Sequence, residues 1–88
     1  MRLPDLAGRR ALITGTADGI GRATAAAFIE QGAEVWGIDV RPATFAGAYH
    51  HLTCDLGDAA AIAACIAELA SRTGHLDHLV NVAGIDPK

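Results

Sequence analysis

Apolar and polar positions along this chain alternate between two rhythms. Ala11-Leu12-Ile13, Val35-Trp36 and Leu79-Val80 are short apolar runs bounded by polar residues or glycine, and they read as strands. Ile62, Ile66 and Leu69 instead recur at helical spacing inside an alanine-rich stretch. The pattern predicts strand, helix, strand, strand, helix, strand. The strands fall over 10–14, 34–38, 50–54 and 78–82, the last with Leu79 and Val80 as its buried centre. The helices fall over 20–31, stopped by Gly32, and 58–72, closed by Gly74. Gly57 and Asp58 are the candidate caps of the second helix, and an acid there also suits the helix dipole.

Strands that alternate with helices imply a parallel sheet with right-handed crossovers. The expected fold class is α/β, the first half of a doubly wound parallel sheet with strand order 3-2-1-4. The step from the second to the third strand is short. Residues 41–49 hold Pro42 and Gly47 and fall below the dozen residues that a parallel crossover usually takes. An irregular loop or single turn is expected there.

Composition narrows the class. The chain has 88 residues, enough for one small domain of marginal stability. A net charge of −3, with no basic stripe, argues against a nucleic-acid partner. No stretch reaches the roughly 20 apolar residues of a membrane span. The start, Met1-Arg2-Leu3-Pro4-Asp5, has no apolar signal core. Cys54 and Cys65 do not make a disulfide framework, and two reduced, buried thiols in a cytoplasmic protein are expected.

The candidate chemistry sits between the first strand and the first helix. Gly15-Thr16-Ala17-Asp18-Gly19-Ile20-Gly21 is a glycine-rich turn at a helix start, where backbone amides and the helix dipole favour an anion. Glycine lets a pyrophosphate come close. Asp39 stands 18 residues beyond Gly21, at the tip of the second strand. A carboxylate there accepts both hydroxyls of an adenosine ribose and repels a 2′-phosphate. Asp18 adds negative charge on the same side, while the Arg41 guanidinium could meet a 2′-phosphate. Two acids against one base favour NAD over NADP.

Thr14-Gly15-x-x-x-Gly19-x-Gly21 resembles the cofactor motif of the short-chain dehydrogenases/reductases. Asp55-Leu56 is similar to their adenine-contacting segment, and Asn81-Val82-Ala83-Gly84 to their Asn-Asn-Ala-Gly motif. Together with Asp39, these motifs span essentially the whole chain in the family's order. The resemblance implies a Rossmann-like sheet and a dinucleotide cofactor. It implies that Gly15, Gly19 and Gly21 shape the pyrophosphate turn, with a backbone amide from Ile20. It gives Asp39 to the adenosine ribose, Asp55 and the Leu56 backbone to the adenine, and Asn81, Ala83 and Gly84 to the neighbourhood of the cofactor ribose. Val82 replaces the family's second Asn, which removes a side-chain hydrogen bond there but leaves backbone contacts.

The family's reaction transfers hydride between an alcohol and the nicotinamide, and it needs a Tyr with a Lys four residues on, plus a Ser. A phenol with a pKa near 10 is a poor base until a cation sits beside it. Here Tyr49 is followed four residues later by Thr53, Lys88 is terminal, and Ser71 lies in the second helix. The expectation is a truncated NAD-binding half-domain over 1–88, with no catalytic residues of its own and an alcohol or carbonyl substrate only in a full-length parent. The stretch 27–39 is similar to family members that oxidise cyclic dihydrodiols. His50 and His51 face opposite sides of a strand, and no metal site is expected from them or from His75 and His78. Two other readings are a non-catalytic nucleotide-binding or assembly module, and a Rossmann-like sheet for a flavin or methyl donor. An open edge at the fourth strand leads to the expectation of a self-associating homo-oligomer.

Overall fold

The computed structural model describes residues 6–82. Strands β1 (Arg10–Thr14), β2 (Glu34–Asp39), β3 (Tyr49–Thr53) and β4 (His78–Asn81) form one sheet in the order β3-β2-β1-β4. All three pairings are parallel, and Thr14 lies opposite both Ile38 and Asn81, so the carboxyl ends of the strands gather on one side. Helices α1 (Gly19–Glu30) and α2 (Ala59–Thr73) complete the partial Rossmann-like fold. The expected fold class and strand order are therefore those observed.

Side chains alternate across a strand, and here the two faces carry separate cores. Leu12, Trp36, Ile38 and Leu52 pack with Cys54 and with Cys65 and Leu69 of α2. Ile13 and Val35 pack with Ala25 of α1, beside Phe28 and Ile29. Ile13 and Val35 are fully buried, each contributing about 1.5–3 kcal/mol of transfer free energy. This two-sided burial is why the central strands read as continuous apolar runs.

β1 lies where the sequence reading put it, and the other elements shift at one or both ends by one residue, with reasons in the hydrogen bonding. α1 begins at Gly19 and ends at Glu30, with Gln31 as its C-cap and Gly32 next. α2 is capped by Asp58, whose carboxylate accepts the Ala60 and Ala61 amides at 3.0 and 3.4 Å. β3 starts at Tyr49 because the Val35 amide already donates to the Ala48 carbonyl at 2.9 Å. Residues 40–48 contain no helix, as the short crossover requires.

The fourth strand departs from expectation. Leu79 is 68 % exposed, not buried, and Val80 is half-buried on the α1 face. Leu79 faces the same side as Leu12, but α2 directs Cys65 and Leu69 into the cluster with Trp36, Leu52 and Cys54. Leu79 instead borders an open crevice whose other wall carries Ile62 and Ile66 of α2. Both cysteines are free and buried. Burial, then the neighbouring Cys65 thiol and the Asp55 and Asp58 carboxylates, push the Cys54 thiol up to about 11. Among the described residues, no helix is long and apolar enough to cross a membrane.

Candidate functional site

β1 ends at Thr14 and the chain turns at Gly15, whose φ of 77° lies where a Cβ is disfavoured. The Gly15 amide donates to the Ile38 carbonyl at 2.7 Å, so the turn stays attached to β2. Asp18 is extended and α1 begins at the next residue. Gly21 seats the helix against the strand end: a Cβ there would lie 1.8 Å from the Gly15 carbonyl oxygen. Only a glycine permits this approach.

The two helix starts differ. Asp58 spends its carboxylate on the first-turn amides of α2, whereas the Asp18 side chain makes no capping bond to α1. First-turn amides have no partner inside a helix. Those of α1 stand at an exposed helix start, with Asp18, Gly19 and Ile20 open to solvent, and the positive end of the dipole lies over the carboxyl edge of the sheet. The arrangement suits an anion.

Asp39 closes β2 and is as a residue only 8 % exposed. Its Oδ2 accepts the Ala17 amide and its Oδ1 the Arg41 amide, both at 3.0 Å. Burial by itself raises the carboxyl pKa. The Arg41 and Ala17 amides, the Arg41 guanidinium and His51 outweigh it, and the net shift is downward. Asp39 is therefore ionised at neutral pH and bonded directly to the glycine turn. A carboxylate offers about four lone-pair positions, and these two amides take two of them. The opposing charges at the mouth meet each other: an Arg41 Nη lies 3.5 Å from an Asp18 Oδ, both side chains being exposed. Such a pair is worth little in stability but draws the guanidinium toward Asp18.

The other predicted residues lie around the same edge. Asp55 follows β3, is exposed, and accepts the Gly57 amide at 2.9 Å in a local turn. Leu56 lines a crevice of about 390 Å³ together with Leu12, Thr14, Ile38, Ile62 and Asn81. The Thr14 hydroxyl donates to the Asn81 side-chain carbonyl at 2.9 Å, tying β4 to β1 at the crevice. Ala83 and Gly84 lie outside the described residues, as does Lys88. The structure thus bonds Asp39 to the glycine turn at Ala17, links Asp18 to the same strand end through Arg41, and sets Leu56 and Asn81 along the neighbouring crevice.

Sequence reasoning missed one cluster. The Thr16 hydroxyl lies 2.7 Å from the Tyr49 hydroxyl, which lies 2.7 Å from His51 Nδ1. The available signal was Tyr49 and His51 at a two-residue interval on one strand face, with Gly37 opposite His51 in β2. Burial first, and then the Asp39 charge, raise the Tyr49 phenol above its ordinary value despite the Thr16 bond and Arg22. No lysine is present among the described residues to lower it. His50 faces away, stacked on Trp36 at 4.2 Å and contacting Glu34 at 2.7 Å. Among the described residues, no three His, Cys, Asp or Glu side chains gather as a metal set.

The short chain dehydrogenase family model matches residues 9–88. The 2,3-dihydro-2,3-dihydroxybenzoate dehydrogenase of Escherichia coli K12 is 41 % identical over 81 residues, covering 92 % of this chain and 33 % of that enzyme. The ligand-free aldohexose dehydrogenase of Thermoplasma acidophilum superposes with a TM-score of 0.80 at 31 % identity, over 89 % of this chain and 30 % of that one. An NADH-dependent reductase, A1-R′, solved with NAD, gives a TM-score of 0.78 at 25 % identity, over 96 % of this chain and 43 % of that one. The chain spans about a third of the length of the curated relatives it matches.

Proposed function

The chain belongs to the short chain dehydrogenase family, and on that premise we propose that residues 1–88 are the NAD-binding half of an oxidoreductase that interconverts an alcohol and a carbonyl. The single observation that carries the reading is the 3.0 Å bond between the Asp39 carboxylate and the Ala17 amide. It supports a single site in which this acid would read the ribose and the turn would hold the diphosphate. In this proposal the amides around Gly19, Ile20 and Gly21 receive the pyrophosphate, and Gly15 and Gly21 allow its close approach. Asp39 accepts the adenosine ribose hydroxyls with its remaining lone pairs. Asp55 and the Leu56 backbone hold the adenine, and Asn81, Ala83 and Gly84 border the second ribose. The nicotinamide, when bound, supplies the hydride acceptor or donor. This chain's residues bind and orient it, and the Tyr-x-x-x-Lys proton chemistry is not among them.

NAD is the proposed cofactor rather than NADP. A buried, ionised Asp39 opposes a 2′-phosphate, and Arg41, the cation nearest to it in sequence, is drawn to Asp18. A cyclic dihydrodiol is the proposed substrate class of the whole protein, on the likeness of the stretch 27–39, with an acyclic polyol as the alternative because a sorbitol dehydrogenase is as identical, at 41 %, as the dihydroxybenzoate relative. Calorimetric titration tests the cofactor assignment. The chain should bind NAD more tightly than NADP, and Asp39→Ala should weaken NAD about tenfold or more, the worth of a hydrogen bond to a charged group, while relaxing the preference. An unchanged preference removes Asp39 from the site. Tighter binding of S-adenosylmethionine than of either dinucleotide overturns the proposal.

A further inference from the structure

The glycine turn is anchored to more than one strand. The Gly15 amide is bonded to β2 through the Ile38 carbonyl, and the Ala17 amide through the Asp39 carboxylate. Thr16, between them, is fully buried, and its hydroxyl reaches past β2 to the phenol of Tyr49 on β3. A buried hydroxyl without a partner costs about 1–3 kcal/mol, so this bond fixes the Thr16 side chain. Gly37 makes the crossing possible. A Cβ at that position would lie 2.1 Å from the Tyr49 hydroxyl and 2.6 Å from Thr16 Oγ1. Tyr49 is itself held, by His51 Nδ1 at 2.7 Å and by the Phe45 ring at 4.5 Å, and Phe45 lies under the Arg22 guanidinium of α1.

We propose that Tyr49 is a positioning residue of the nucleotide turn, clamping Thr16 from β3 through the gap that Gly37 leaves in β2. The inference rests on the dinucleotide reading above. A turn fastened at three consecutive residues presents its amides and those of the α1 start without reorganising when a diphosphate arrives, and preorganisation of this kind is felt as affinity. Adenosine, which lacks the diphosphate, does not use those amides.

The test is calorimetric titration of the chain and its variants with ADP-ribose and with adenosine. Tyr49→Phe and Thr16→Val should each weaken ADP-ribose about three- to tenfold, the equivalent of one hydrogen bond, and adenosine by less than about twofold. Thr16→Ser keeps the hydroxyl and should remain within about twofold of the parent. The double variant Thr16→Val/Tyr49→Phe should be no weaker than either single one, because both remove the same contact. Unchanged ADP-ribose binding in Tyr49→Phe and Thr16→Val overturns the proposal while leaving the dinucleotide site in place. Equal losses for ADP-ribose and adenosine overturn it too, as a general loosening. If the parent chain fails to bind ADP-ribose, the dinucleotide reading falls and takes this inference with it. If Tyr49→Phe loses its helical circular dichroism, the contrast between Thr16→Val and Thr16→Ser decides by the same criteria.

Discussion

Gly21→Ala adds one methyl group where the structure has no room for it. The new Cβ would sit 1.8 Å from the Gly15 carbonyl oxygen and 2.6 Å from its carbon, while real Cβ contacts essentially never fall under 3.0 Å. Both obstructing atoms are backbone, in a turn bonded to Ile38 at 2.7 Å, so neither can swing aside as a flexible side chain would. Helix and turn must part by more than about 1 Å. Overpacking of this kind costs about 3 kcal/mol at the upper end, and the better helix propensity of Ala returns about 1 kcal/mol. A net loss of about 2 kcal/mol lowers Tm by roughly 8–16 °C in a domain of this size. The same displacement takes the first-turn amides of α1 out of hydrogen-bond reach of an anion seated on the turn. Losing one charge-assisted bond, about 1.5–3 kcal/mol, weakens a diphosphate ligand more than tenfold. Thermal unfolding followed by circular dichroism reads the first effect, and calorimetric titration with ADP-ribose the second. A variant with unchanged Tm and affinity within twofold of the parent refutes both the close packing of helix on turn and its role in binding.

Two further outcomes follow from burial and charge. The lowered pKa of Asp39 makes its contribution to stability complete above the ordinary carboxyl value of about 3.9 and lost as pH falls through the lower folded value. The urea midpoint of the parent should therefore exceed that of Asp39→Asn by a steady margin above about pH 5, and the margin should shrink below about pH 4. Asp77, also lowered, chiefly by the Arg10 amide, is present in both chains and cancels. A margin independent of pH would contradict the assignment. On the α2 side, Leu69→Ala should cost about 2–5 kcal/mol because Leu69 is 3 % exposed, whereas Leu79→Thr should change stability by less than about 0.5 kcal/mol. Equal losses in denaturant melts would show that β4 is covered in solution.

Strand and helix assignments were legible in the sequence because each rests on a local rule. The apolar runs at 11–13 and 35–38 mark strands, the 62/66/69 spacing marks a helix, and Asp58, Gly32 and Gly74 mark helix ends. The glycine turn at 15, 19 and 21 was readable for the same reason, since a turn's backbone demands are met by its own residues, and Asp39 was readable as an acid at the end of the second strand. Tertiary structure decided what depends on distant partners. It made Leu79 exposed, because α2 covers the sheet elsewhere. It joined Arg41 to Asp18 and gave Asp39 the Ala17 amide, 22 positions away in the chain. It brought Thr16 to Tyr49 across a strand that happens to carry glycine. Periodicity records which face of its own element a residue occupies, but the choice among possible neighbours on that face is made only when the strands take their order and the helices settle on them.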